Sequence, residues 1–191
     1  MVAHLGTCAA AHDKVGPSQP LVVLRFDAVN ERRYWLIVEA RADAKLRQID
    51  ALLRQLWLEC CGHMSAFHVG RRDLAMTSTA AIAFPPTGAK LEYEYDFGST
   101  TALTGEFLGM RTGSIGRAPV RLLARNEPIA WSCGECTAPA TVVCPYCIDD
   151  GDGLFCDTHS DAHEHADEEV YLPVVNSPRM GVCGYTGAGD A

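Results

Sequence analysis

The chain has 191 residues, is 48% hydrophobic and 21% charged, and carries a formal net charge of −8. These are the proportions of a globular protein with room for one ordinary domain and a small module. No apolar run approaches the roughly 18 residues that a membrane-spanning helix needs.

Residues 1–19, ending in Gly16-Pro17-Ser18-Gln19, read as a flexible arm. Residues 1–11 lack the basic start and long apolar centre of a secretory leader, so the cytoplasm is the expected compartment. In a reducing compartment, clustered cysteines indicate metal binding or catalysis rather than disulfides.

Residues 20–127 read as an α+β domain, a small mixed or antiparallel sheet with one main helix. Val22, Leu24 and Phe26 alternate with Arg25 and Asp27, the pattern of a half-buried strand, and Tyr34 to Glu39 returns as its hairpin partner. Asp43 is the expected N-cap of a helix whose Leu46, Ile49, Leu52, Leu53, Leu56 and Trp57 recur at helical spacing, with Gly62 as its stop. Beyond it Cys60 and Cys61 read as small core residues at a helix end, and His63 as the start of a strand. Cys61 and His63, with Asp96 and Tyr95, are also the residues that a catalytic site in this domain would use. Cys60, Cys61 and the nearby histidines offer a metal site as a further alternative.

Residues 70–89 read as loop, closing on Pro85-Pro86-Thr87-Gly88. Leu91, Tyr93, Tyr95 and Phe97 then alternate with charged residues in the clearest strand of the chain. Two more strands are predicted at about 103–110 and 118–124. Arg111, Arg117, Arg121 and Arg125 form a basic patch that a nucleic-acid-binding protein would use, although a solvated face is the expected reading.

The stretch Leu91-Glu92-Tyr93-Glu94-Tyr95-Asp96-Phe97-Gly98-Ser99, preceded by a hairpin and a helix ending near Trp57, resembles the family first described from the third open reading frame of an Ri plasmid. Some members of that family are labelled transposon-passenger TnpR proteins. Over residues 20–125 the resemblance implies an α+β domain encoded near mobile elements, with no established chemistry.

The remaining signal is denser. Cys133, Cys136, Cys144, Cys147, Cys156, His159, His163 and His165 fall within 33 residues, as pairs of the kind that build tetrahedral zinc sites. Residues 131–170 therefore read as a two-zinc module. Thr141, Val142 and Val143 favour an extended strand that separates the first two pairs. The expected arrangement is interleaved: Cys133/Cys136 with Cys156/His159, and Cys144/Cys147 with His163/His165; consecutive pairing is the alternative. Eight ligands for two Zn2+ ions leave no open position, which is the structural kind of site. The segment resembles the B-box and zinc-finger HIT modules, a likeness that implies a cross-brace used for protein contacts.

Charge sharpens this expectation. Residues 1–132 hold 15 Lys/Arg against 13 Asp/Glu, whereas residues 133–170 hold ten acids and no Lys or Arg. The module is a poor reader of nucleic acid; solvated acid on a loop-rich knob is the expected reading of its charge, and a surface for a basic protein partner is the alternative. Residues 171–191 have apolar residues without helical period and read as an extended tail docked on the first domain or on a partner; Cys183 is expected to pack there, and a meeting with Cys60 or Cys61 is the alternative. The functional expectation is a zinc-stabilised scaffold or interaction protein of a plasmid or mobile element.

Overall fold

The computed structural model describes residues 8–84, 88, 90–166 and 170–188. Residues 1–7 of the arm, Pro85-Pro86-Thr87 of the expected loop, Asp167, Glu168 and Glu169 of the acidic run, and the last three residues of the tail lie outside them. The chain divides into two compact units. One comprises Met1–Arg54 and Met64–Asn126; the other joins Gln55–His63 to Glu127–Ala191. The fold class is α+β.

The first unit is built on a seven-stranded antiparallel sheet in the order β4-β3-β5-β6-β1-β2-β7. Its strands are β1 (Gln19–Ala28), β2 (Trp35–Arg41), β3 (Ser65–Val69), β4 (Arg72–Leu74), β5 (Leu91–Tyr95), β6 (Thr101–Gly113) and β7 (Val120–Arg125). The alternation read from β1 sets the core: Val22, Leu24, Phe26 and Ala28 are buried, and across the hairpin they meet Ala40, Val38, Leu36 and Tyr34. Two register shifts, between Val23 and Leu24 against β6 and between Ile37 and Val38 against β7, bend the long strands.

Helix α1 (Leu46–Leu53) buries Leu46, Ile49, Asp50 and Leu53. It begins two residues later than the sequence predicts. Asp43 is drawn off by Arg41 at 2.9 Å, and Gln48 instead reaches back to accept from the Lys45 amide at 2.8 Å. From Arg54 to Leu58 the coil widens to a π-helix that buries Trp57 and Leu58, so the helix closes before Gly62 and leaves Leu52 and Leu56 only half buried. The stretch expected to be loop holds β4 and a short helix, α2 (Ala80–Ala83).

Residues 8–13 are held on the back of the sheet rather than loose. Glu39 is fully buried there and receives Arg111 Nη2 at 3.0 Å and Arg121 Nη2 at 2.7 Å. Those guanidiniums also hold Asp13 and the carbonyls of Ala9 and His12. Two of the four arginines of the basic patch thus spend their charge internally. Arg117 is exposed, and the pattern of hydropathy alone could not distinguish the two situations.

The second unit contains a three-stranded sheet in the order β10-β8-β9, formed by β8 (Val142–Val143), β9 (Leu154–Phe155) and β10 (Leu172–Pro173). At the late cysteines one small apolar cluster gathers Cys133, Cys144 and Phe155, with Val142, Cys147, Cys156 and Tyr171 packed around them. Trp57, Leu58, Val143 and Tyr185 are also buried in this unit.

Candidate metal centres

The side chains of the late cysteines and histidines converge in two groups. Cys133, Cys136, Cys156 and His159 form one, and Cys144, Cys147, His163 and His165 the other; within each, the ligand atoms lie within 4.8 Å of one another. Local structure makes the pairs. Cys156 is the N-cap of helix α3 (Asp157–Ser160), so one helical turn brings His159 Nδ1 to 3.4 Å from Cys156 Sγ. The same Nδ1 is 3.4 Å from Cys133 Sγ, and Cys136 Sγ is 3.9 Å from Cys156 Sγ.

In the second group Cys144 and Cys147 flank a turn closed by the Cys147 and Ile148 amides on the Cys144 carbonyl. Gly153 packs against this turn so closely that a Cβ would lie 2.5 Å from the Ile148 nitrogen; only glycine fits. Cys147 Sγ is 3.4 Å from His163 Nε2 and 3.5 Å from His165 Nδ1, and the two imidazole nitrogens are 3.2 Å apart. A tetrahedral ion with arms of about 2.3 Å to sulfur and 2.0–2.1 Å to nitrogen has edges of about 3.8 Å between sulfurs and about 3.5 Å between sulfur and nitrogen. The observed separations match that polyhedron.

The electrostatics of the thiols differ. Burial pushes Cys133 up, but amide donors from Cys156 and Glu135 and the His159 ring outweigh it and bring the thiol down to about 6. Burial, Cys144 and the nearby Glu164 and Asp150 push Cys147 up to about 11. A cation between the groups would discharge that repulsion.

A third group is present: Cys60, Cys61, His63 and Cys183. Cys60 and Cys61 are not core residues. Cys61 is exposed and Cys60 half exposed, because the π turn has already ended the helix at Leu58. His63 precedes β3 rather than opening it. Of the weak catalytic candidates, Cys61 Sγ and His63 Nε2 are 3.0 Å apart. Hydrogen bonds from Cys60 and Cys183 push the Cys61 thiol up to about 11, the opposite of an activated nucleophile. Asp96 belongs to the other unit, where it is buried at φ 65° and accepts the Gly98 amide at 3.0 Å.

Besides the Glu39 network, the sequence does not reveal a second buried polar cluster in the first unit. Asp50 Oδ1 accepts Ser65 Oγ at 2.6 Å and Tyr93 OH at 2.8 Å. Tyr93 is held well above the ordinary phenol range by burial and by that carboxylate. Asp50 occupies a helical-stripe position and Tyr93 an alternating strand position, so each reads locally as part of its element. No helix among the described residues is long and apolar enough to cross a membrane.

No protein-family model and no curated protein matches this chain. Among solved structures, it is similar to the crystal structure of MM3350 from Methanosarcina mazei Go1, a protein of unknown function. The TM-score is 0.48 and the identity 10%, over 56% of this chain and 69% of that one.

Proposed function

We propose that the second unit is a zinc-stabilised interaction module: two Zn2+ ions in a cross-brace hold a rigid acidic surface for a basic protein partner. The observation that carries this reading is the alternation of the ligand groups along the chain, Cys133/Cys136 with Cys156/His159 and Cys144/Cys147 with His163/His165. Four protein ligands per ion close the coordination shell, which suits a structural rather than a catalytic ion. The apolar cluster at the ligands is small, and structural zinc is worth about 10–16 kcal/mol in zinc-finger peptides, so metal is a large share of what holds the ligand segment.

The surface supports the choice of partner. Glu135, Asp149, Asp150, Asp152, Asp157, Asp161 and Glu164 are all exposed, and Tyr146 is 58% exposed beside them in sequence. An aromatic amid carboxylates suits an Arg-rich or Lys-rich polypeptide. The resemblance of Leu91–Ser99 to the Ri-plasmid family is the basis for reading the first unit as the domain of a mobile-element-associated protein.

The test is calorimetric titration of the zinc-loaded chain with an arginine-rich peptide and with a charge-reversed control at two salt concentrations. Binding of the basic peptide alone, weakened by salt and abolished by chelation, is expected. Indifference to peptide charge would contradict it.

A further inference from the structure

We propose that Cys60, Cys61, His63 and Cys183 form a third metal site, a Cys3His centre for zinc that clasps the C-terminal tail to the 55–63 segment of the same unit. This inference stands apart from the two-ion reading, since it shares no ligand with either group.

Its geometry is that of the other two sites. Cys61 Sγ is 3.7 Å from Cys60 Sγ and 3.8 Å from Cys183 Sγ, at the sulfur–sulfur edge of about 3.8 Å derived above. His63 Nε2 is 3.0 Å from Cys61 Sγ and 3.2 Å from Cys183 Sγ, somewhat inside the sulfur–nitrogen edge; a slight outward shift of one ring seats an ion. The sulfurs are far from the roughly 2.05 Å of a disulfide. Three thiolates and an imidazole are a soft donor set that selects zinc over hard cations.

The backbone is shaped to present these four groups. Gly62, at φ 82°, reverses the chain between Cys61 and His63, so residues two apart face one point; its amide is held by Glu59 Oε1 at 2.6 Å. Cys183 adopts φ 52°, a conformation that non-glycine residues rarely take. Packing also holds the tail there: Ser177 Oγ donates to the Trp57 carbonyl at 2.6 Å, and Arg179 and Tyr185 are buried on either side of Cys183 in sequence. The clasp therefore reinforces a contact between segments 120 residues apart. It also differs from the other two groups in exposure. Each of those contains one buried thiol, Cys133 or Cys144, although Cys136 is exposed, whereas the third group contains none, so this ion is the one that chelators and competing thiols reach first.

The test counts zinc by elemental analysis on the full chain purified in reducing buffer, as wild type, Cys183→Ser and His63→Gln. Each variant is expected to hold one ion per chain fewer than the wild type. A difference of zero in both variants, or of more than one in both, overturns the third site. The absolute count remaining in the variants reports separately on the other two groups: two supports the two-ion reading, and fewer than two counts against that reading without touching this one.

Discussion

Cys133 Sγ lies 3.4 Å from Nδ1 of His159, 26 residues further along, while Cys144 and Cys147 between them turn to a different group. This crossing ties the two ends of the module through its middle. A metal ion at either group constrains the other, so the segment is expected to fold as one unit with its ions. Cys133→Ser should therefore cost more than one ion's worth of order: zinc content falls by at least one per chain and near-UV circular dichroism of the module collapses. Loss of a single ion with an unchanged near-UV spectrum would show the two groups to be independent.

Glu39 is fully buried between Arg111 and Arg121. Replacing it with glutamine leaves the two guanidiniums with Asp13 as a remaining carboxylate. Breaking a buried ion pair so that the partner charge is left alone costs about 3–5 kcal/mol; with Asp13 retained, Glu39→Gln should destabilise the first unit by less than that but by more than about 1 kcal/mol, read as a lower denaturant midpoint. A change under about 1 kcal/mol, the usual worth of a surface pair, would mean that the network is solvated.

Asp13 supplies a pH test of the same network. Its hydrogen bond from Arg111 holds the carboxyl below its ordinary value of 3.8, so the native state binds a proton less readily than the unfolded chain. The stabilisation is present above pH 3.8 and disappears as pH falls through the lower, folded-state value. Asp13→Asn should melt earlier than the wild type at pH 7, and the two should converge in strong acid. A gap that persists there would assign the effect to something other than the carboxylate.

Arg179 is the only Lys or Arg after Arg125 in the sequence and is fully buried. Trypsin should spare it in the metal-loaded protein and cut after it, removing residues 180–191, once a chelator has stripped the ions. Mass spectrometry of a timed digest reads this directly. Equal cleavage rates with and without chelator would separate tail docking from metal.

Much of this arrangement is legible in the sequence, and what is not has identifiable causes. Leu91 to Tyr95 alternates so regularly that its strand could be read directly, since a sheet with one buried face imposes a period of two. The Cys133/Cys136 and Cys144/Cys147 pairs are legible because two thiols three residues apart share one turn. Cys183 is different: its group-mates are 120 to 123 residues away, no local pattern reports such a contact, and its meeting with Cys60 or Cys61 enters the sequence reading only as an alternative. Glu39 sits in Trp35-Leu36-Ile37-Val38-Glu39-Ala40-Arg41, where only the tertiary approach of Arg111 and Arg121 makes a buried carboxylate tolerable. The π turn at Arg54–Leu58 leaves the apolar spacing nearly unchanged while moving the helix end, which is why Cys60 and Cys61 read as core.

The most direct measurement of the central claim is zinc content in the triple variant Cys60→Ser/Cys61→Ser/Cys183→Ser, which leaves only the alternating groups. Two zinc ions per chain, with thiolate-to-metal charge-transfer bands after cobalt exchange, is the predicted result. Fewer than two bound ions with the near-UV spectrum of the folded protein intact would contradict it.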